Sequence, residues 1–140
     1  MVSKIFIDAN ILLDFTLQRA NYNEAKKLIE LVINDKIHAY ITPAIVHIVG
    51  YWLTKHYGAK KAKEILLMLL TDIRVIDISH TVTINALHSK INDIEDALQY
   101  YSALHHKLNY FVTRDGQLKK EGIPILPVYG LTEFLKIKSV

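Results

Sequence analysis

Apolar positions along this chain follow two different periods. Short, mainly apolar runs occupy residues 4–7, 39–41, 75–78, 110–112 and 125–126, each bounded by polar or turn residues. Runs of this kind fit strands covered on both faces. Between them the spacing turns helical. Residues 22–35 place Ala25, Leu28, Ile29 and Val32 on one stripe. Residues 43–57 do the same with Ile45, Ile48, Val49 and Trp52, and Pro43 suits a first helical turn. Residues 59–71 carry Ala62, Ile65, Leu66 and Leu69, and residues 93–108 carry Ile94, Ala97, Leu98, Tyr101, Leu104, His105 and Leu108. A last helix is predicted over residues 131–137. The apolar run from Ile65 to Leu70 reads as a buried helix segment. Gly58 separates two of the helices, and Gly122-Ile123-Pro124 marks the entry to the last strand. Strands that alternate with helices predict an α/β domain with a mostly parallel sheet.

Composition narrows the chemistry. The 140 residues amount to one ordinary domain, expected to span 1–140, and no repeat or linker interrupts them. There is no cysteine, so any metal is held by oxygen or histidine. The seven histidines show no metal-ligand spacing, and the adjacent His105 and His106 point to different helix faces. No glycine-rich phosphate loop is present. The net charge is +3, compatible with a nucleic-acid ligand without requiring one. The first residues lack the apolar core of a signal peptide, and no run is long enough to span a membrane, so the cytoplasm is the expected location. Tyr51-Trp52 and Tyr100-Tyr101 sit on helical stripes and read as packing or subunit contacts.

Carboxylates at strand ends hold the candidate chemistry. The first strand runs into Asp8 and the fourth into Arg114-Asp115. In an open parallel sheet the functional crevice lies beyond the carboxyl ends of the strands, where strand order reverses. If the first and fourth strands are neighbours, Asp8 and Asp115 converge there, and hard divalent ions prefer such oxygen ligands. An aspartate after a strand is equally suited to capping the next helix. A third acidic group, Asn92-Asp93-Ile94-Glu95-Asp96, opens the helix over 93–108. It reads either as a charged, capped helix start or as the source of a metal ligand, Asp96.

The ordered set resembles a known family. Phe6-Ile7-Asp8-Ala9-Asn10-Ile11-Leu12-Leu13-Asp14 is similar to the opening of a PIN domain. Asp96-Ala97-Leu98 followed by Tyr101-Ser102-Ala103-Leu104 resembles the family's third-acid helix, and Val112-Thr113-Arg114-Asp115 its strand end. The resemblance runs from about residue 3 to residue 135. It implies a three-layer α/β/α sandwich around an approximately five-stranded sheet. It further implies an endoribonuclease that hydrolyses RNA phosphodiester bonds using Mg2+ or Mn2+. Many single-domain bacterial and archaeal members are VapC-type toxins inhibited by a small antitoxin protein. By position, Asp8, Asp96 and Asp115 would be the catalytic metal ligands, with Asn10, Thr113 and Arg114 binding substrate. Dimers are common in the family, and the apolar helices over 43–70 carry more hydrophobic surface than one small core needs, so a homodimer is expected. Lys119 and Lys120 are further candidates for meeting the RNA backbone, against the reading that they are ordinary surface lysines.

One position departs from the pattern. The family usually carries a Glu on the helix after the second strand, where this chain has Ile48, beside His47. Asp93, Glu95 or Asp14 would have to compensate. The alternative function is a catalytically weakened PIN module that binds RNA or a protein partner. A response-regulator-like or phosphatase-like α/β domain also clusters aspartates at strand ends, but it calls for a lysine after a late strand, which is not conspicuous here.

Overall fold

The computed structural model describes residues 2–114 and 116–138. Five parallel strands form one sheet: β1 (Ser3–Ile7), β2 (Ile37–Ile41), β3 (Ile73–Val75), β4 (Tyr110–Thr113) and β5 (Val128–Gly130). Their order is β3-β2-β1-β4-β5. The chain steps outward from β1 to β3, then returns to the other side of β1 for β4 and β5. Strand order therefore reverses between β1 and β4, which pair with Ile7 opposite Val112.

Eight helices are present among the described residues: α1 (Ala9–Thr16), α2 (Tyr22–Ile33), α3 (Pro43–Tyr57), α4 (Ala59–Leu69), α5 (His80–Leu87), α6 (Ile94–His105), α7 (Gly116–Glu121) and α8 (Leu131–Lys138). Parallel neighbours need crossovers, and right-handed crossovers in opposite directions place helices on both faces of the sheet. The packing follows: α1 meets α2 and α3, α3 meets α4, and α2 meets α8, whereas α5 packs along α6. The result is the three-layer α/β/α arrangement with a wholly parallel sheet.

At the sheet centre β1 is buried through Ile5, Phe6 and Ile7. Phe6 stacks on Phe111 of β4 with ring centroids 4.7 Å apart, and Tyr100 of α6 lies 5.6 Å from Phe111. The Tyr100 hydroxyl accepts from the Ile123 amide at 2.8 Å and donates to the Leu126 carbonyl at 2.6 Å. It thereby ties the segment before β5 to the core.

Several expectations shift. β3 begins two residues before the predicted run, and β5 follows the predicted one, where Ile125 is exposed. Helices α1, α5 and α7 are additional. Ser79 caps α5 by accepting from the Val82 amide at 3.1 Å. The buried face of α6 is Ala97, Tyr100 and Ala103, with Ile94 exposed, and α5 packs along the helix. On α3, Leu53 is buried in place of Trp52. On α4, Leu67 and Met68 of the supposed buried run are exposed.

Gly58 ends α3 and precedes α4 with φ at 89° and ψ at 162°. This backbone region is open essentially to glycine alone. Gly58→Ala is expected to cost about 1–3 kcal/mol of stability, read by urea denaturation, with the far-UV helical signal retained at low denaturant.

Candidate active site

The reversal between β1 and β4 brings Asp8, the residue after β1, beside the end of β4. The Asp8 amide donates to the Val112 carbonyl at 3.1 Å. One residue on, the buried Thr113 hydroxyl donates to Asp8 Oδ2 at 2.7 Å. Asp8 occupies the N-cap position of α1, yet its side chain makes no capping hydrogen bond. Burial pushes its carboxyl above the usual range. The Thr113 hydroxyl and the amides of Ala9, Asn10 and Arg114 act against that rise without cancelling it.

The acidic start of α6 divides its labour. Asp93 is the cap, accepting from the Asp96 amide at 2.9 Å. Glu95 and Asp96 face a cleft of about 560 Å³ whose lining also includes Asp8, Asn10, Asp14, Arg19 and Arg114. The Glu95 carboxyl is raised chiefly by burial, with the negative charges of Asp93 and Asp8 adding to it. Asp8, Asn10, Asp96 and Arg114 thus share one cleft, with Thr113 behind it on Asp8. Asp115 lies outside the described residues.

Asp14 is fully committed elsewhere. Only 1% exposed, it accepts from Arg114 Nη1 at 3.0 and 2.8 Å and from Arg19 Nε at 3.1 Å. Ile48 is half-buried against the core and does not line the cleft. Lys119 is paired with Glu133, while Lys120 is exposed. Arg19 is an addition to the predicted set, and Glu95, one of the three acids offered as compensation for Ile48, lines the cleft. The sequence did carry Glu95 inside the acidic start of α6, but Arg19 sits in a turn with no periodic pattern.

The donor set is of the kind that suits a hard divalent ion. Asp8, Glu95 and Asp96 offer only carboxylate oxygens, the ligand chemistry of Mg2+ and Mn2+. Among the described residues no three such groups are gathered closely enough to enclose an ion by themselves. No described helix is long and apolar enough to cross a membrane.

Comparison with known proteins places the chain. The archaeal Ribonuclease VapC2 of Methanocaldococcus jannaschii is 32% identical over 136 residues, covering 84% of this chain and 89% of that protein. Among solved structures, VapBC2 from Rickettsia felis bound to a promoter DNA fragment matches at a TM-score of 0.67 and 18% identity, over 91% of this chain and 98% of that one. The sarcin-ricin-loop-cleaving toxin VapC20 of Mycobacterium tuberculosis matches at 0.67 and 16%, over 85% of this chain and 95% of that one. The sequence profile of the PIN domain matches residues 4–117. With its strand reversal, its acid-lined cleft and this agreement, the chain belongs to the PIN domain family.

Proposed function

We propose that this chain is an endoribonuclease that hydrolyses RNA phosphodiester bonds with Mg2+ or Mn2+, using Asp8, Asp96 and Asp115 as ligands. The observation that carries this reading is the state of Asp8. It is a buried strand-end carboxylate, oriented by Thr113 and eased by the Ala9, Asn10 and Arg114 amides, that pairs with no cation among the described residues. Leaving a carboxylate in that state costs stability unless a ligand offsets it. The name of the Methanocaldococcus jannaschii relative supports RNA as the substrate class.

A bound divalent ion would acidify water and stabilise charge on the phosphate and the leaving oxygen. The chain's own contribution is positional. Thr113 fixes one Asp8 oxygen, Asp93 fixes the first turn of α6 and hence Asp96, and Asn10 and Arg114 border the cleft where substrate enters. Because Asp8 must be deprotonated to ligate, metal affinity is expected to fall as pH drops through its raised pKa.

Ile48 supports a second reading, a weakened module that binds RNA or protein without cutting. The two readings separate on Glu95. Of the three acids that could stand in for the missing Glu, Asp93 is a cap and Asp14 is held by two arginines, whereas Glu95 lines the cleft. We therefore assign Glu95 the vacant ligand role. Glu95→Gln is expected to weaken Mn2+ binding by roughly tenfold, about 1.4 kcal/mol, in calorimetric titration. Unchanged Mn2+ affinity in Glu95→Gln, together with no RNA cleavage by the parent protein, would favour the non-cutting module.

The VapC resemblance makes a small antitoxin protein the expected partner, and a homodimer the expected assembly. Exposed Tyr51, Trp52, Leu67 and Met68 on α3 and α4 support a protein contact there.

A further inference from the structure

The acid cleft has a basic wall. Arg19 lies in the turn between α1 and α2, after Gln18, whose φ of 51° turns the backbone left-handed. Its Nε donates to Asp14 Oδ1 at 3.1 Å, and its Nη2 reaches the carbonyl and side-chain oxygens of Asn10 at 3.3 and 3.4 Å. From the end of β4, Arg114 Nη1 donates to the same Asp14 oxygen at 3.0 Å and to its neighbour at 2.8 Å. The two arginine side chains remain 40% and 41% exposed, although the carboxylate holding them is buried.

One arginine neutralises Asp14; the second leaves a surplus positive charge. Among the described residues, Nε and Nη2 of Arg114 and Nη1 of Arg19 have no hydrogen-bond partner. Arg19 and Arg114 border the cleft that Asp8, Glu95 and Asp96 line with negative charge. A guanidinium fork matches phosphate oxygens, and a fork already held in place loses less freedom on binding.

We propose that Arg19 and Arg114 form a preoriented seat for a backbone phosphate of single-stranded RNA, adjacent to the phosphate at the acids. Asp14 is the positioning residue of this seat and not a metal ligand. The inference rests on the nuclease reading and deepens it.

The test measures binding of a single-stranded RNA oligonucleotide to the full chain in EDTA, across a series of NaCl concentrations, with Mn2+ titration of the same proteins. Arg19→Ala is expected to weaken RNA binding about fivefold or more at low salt and to reduce the slope of log K against log salt by about 0.7, the value of one single-strand phosphate contact. Arg19→Lys keeps the slope but loses part of the affinity, having the charge without the fork. Asp14→Asn adds net positive charge to the cleft yet is expected to weaken RNA binding, because the arginines lose their anchor. None of the three variants is expected to lose Mn2+ affinity by the roughly tenfold or more that removing a ligand costs, and such a loss in Asp14→Asn overturns the statement that Asp14 is not a ligand.

Tighter RNA binding by Asp14→Asn overturns the positioning role. Wild-type affinity and slope in Arg19→Ala overturn the seat and leave the nuclease reading standing. Wild-type protein that binds no RNA at any salt concentration overturns the seat, and wild-type protein that also cleaves no RNA with Mn2+ overturns the nuclease reading.

Discussion

Asp8→Asn is expected to abolish RNA cleavage, by roughly a thousandfold or about 4 kcal/mol of transition-state stabilisation, while raising the melting temperature of the metal-free protein. The first half follows from removing the proposed charged ligand at the strand reversal. The second follows from burial. The Asp8 carboxyl titrates above its unfolded value of 3.8, so ionising it disfavours the folded state. That penalty is absent below the unfolded value. It grows as pH rises toward the raised folded value and is complete above it. Asparagine carries no such penalty and can still accept from Thr113. Its advantage in EDTA is therefore largest at neutral pH and fades as pH falls into the ordinary carboxylate range. Added Mn2+ should reverse the ranking, because it stabilises only the chain that binds it. Thermal melts of both proteins, with EDTA and with Mn2+, at two pH values, test the whole pattern. A metal-free Asp8→Asn protein less stable than wild type at neutral pH would show that Asp8 is there for the fold.

Phe111→Ala is expected to carry the largest stability loss, about 4 kcal/mol in urea denaturation. Phe111 is buried, stacked on Phe6 and packed against Tyr100, so its removal opens a cavity where β1, β4 and α6 meet. Against a total of about 5–15 kcal/mol, that leaves a marginal protein. The Thr113 to Asp8 bond lies two residues beyond and does not depend on the ring. Molecules that remain folded at low temperature should therefore retain Mn2+ binding. Loss of that binding in the folded fraction would mean that the aromatic stack also sets the site's geometry.

How much of this was legible in the sequence depends on how much of each element is buried on one side. The helix over 22–33 buries Ala25, Leu28, Ile29 and Val32, and its spacing reads directly. Strands β1 and β4 are covered on both faces and appear as apolar runs. The three-residue strand β3 buries only Ile73, and β5 only Val128, too little for a period to show. On α6 the predicted stripe held Ala97 but missed Tyr100 and Ala103, which are buried beside it, and included Ile94, which is exposed. In the site, Asp8 and Asp96 stood out as acids at element starts, and the structure brings them to one cleft. The choice between cap and cleft could not be read from spacing: Asp93 and Asp96 are three residues apart and look alike until one accepts the other's amide. Arg19 was invisible because nothing in its turn indicates that Asp14, five residues earlier, faces inward.

The pairing of β1 with β4 sets when the site can exist. Thr113, the hydroxyl donor to Asp8, lies 105 positions after it, and β4 is the strand that completes its surroundings. Contacts that distant form late and slowly. A growing chain still short of β4 carries Asp8 without the cleft, so this topology withholds the proposed activity until β4 has been made and paired.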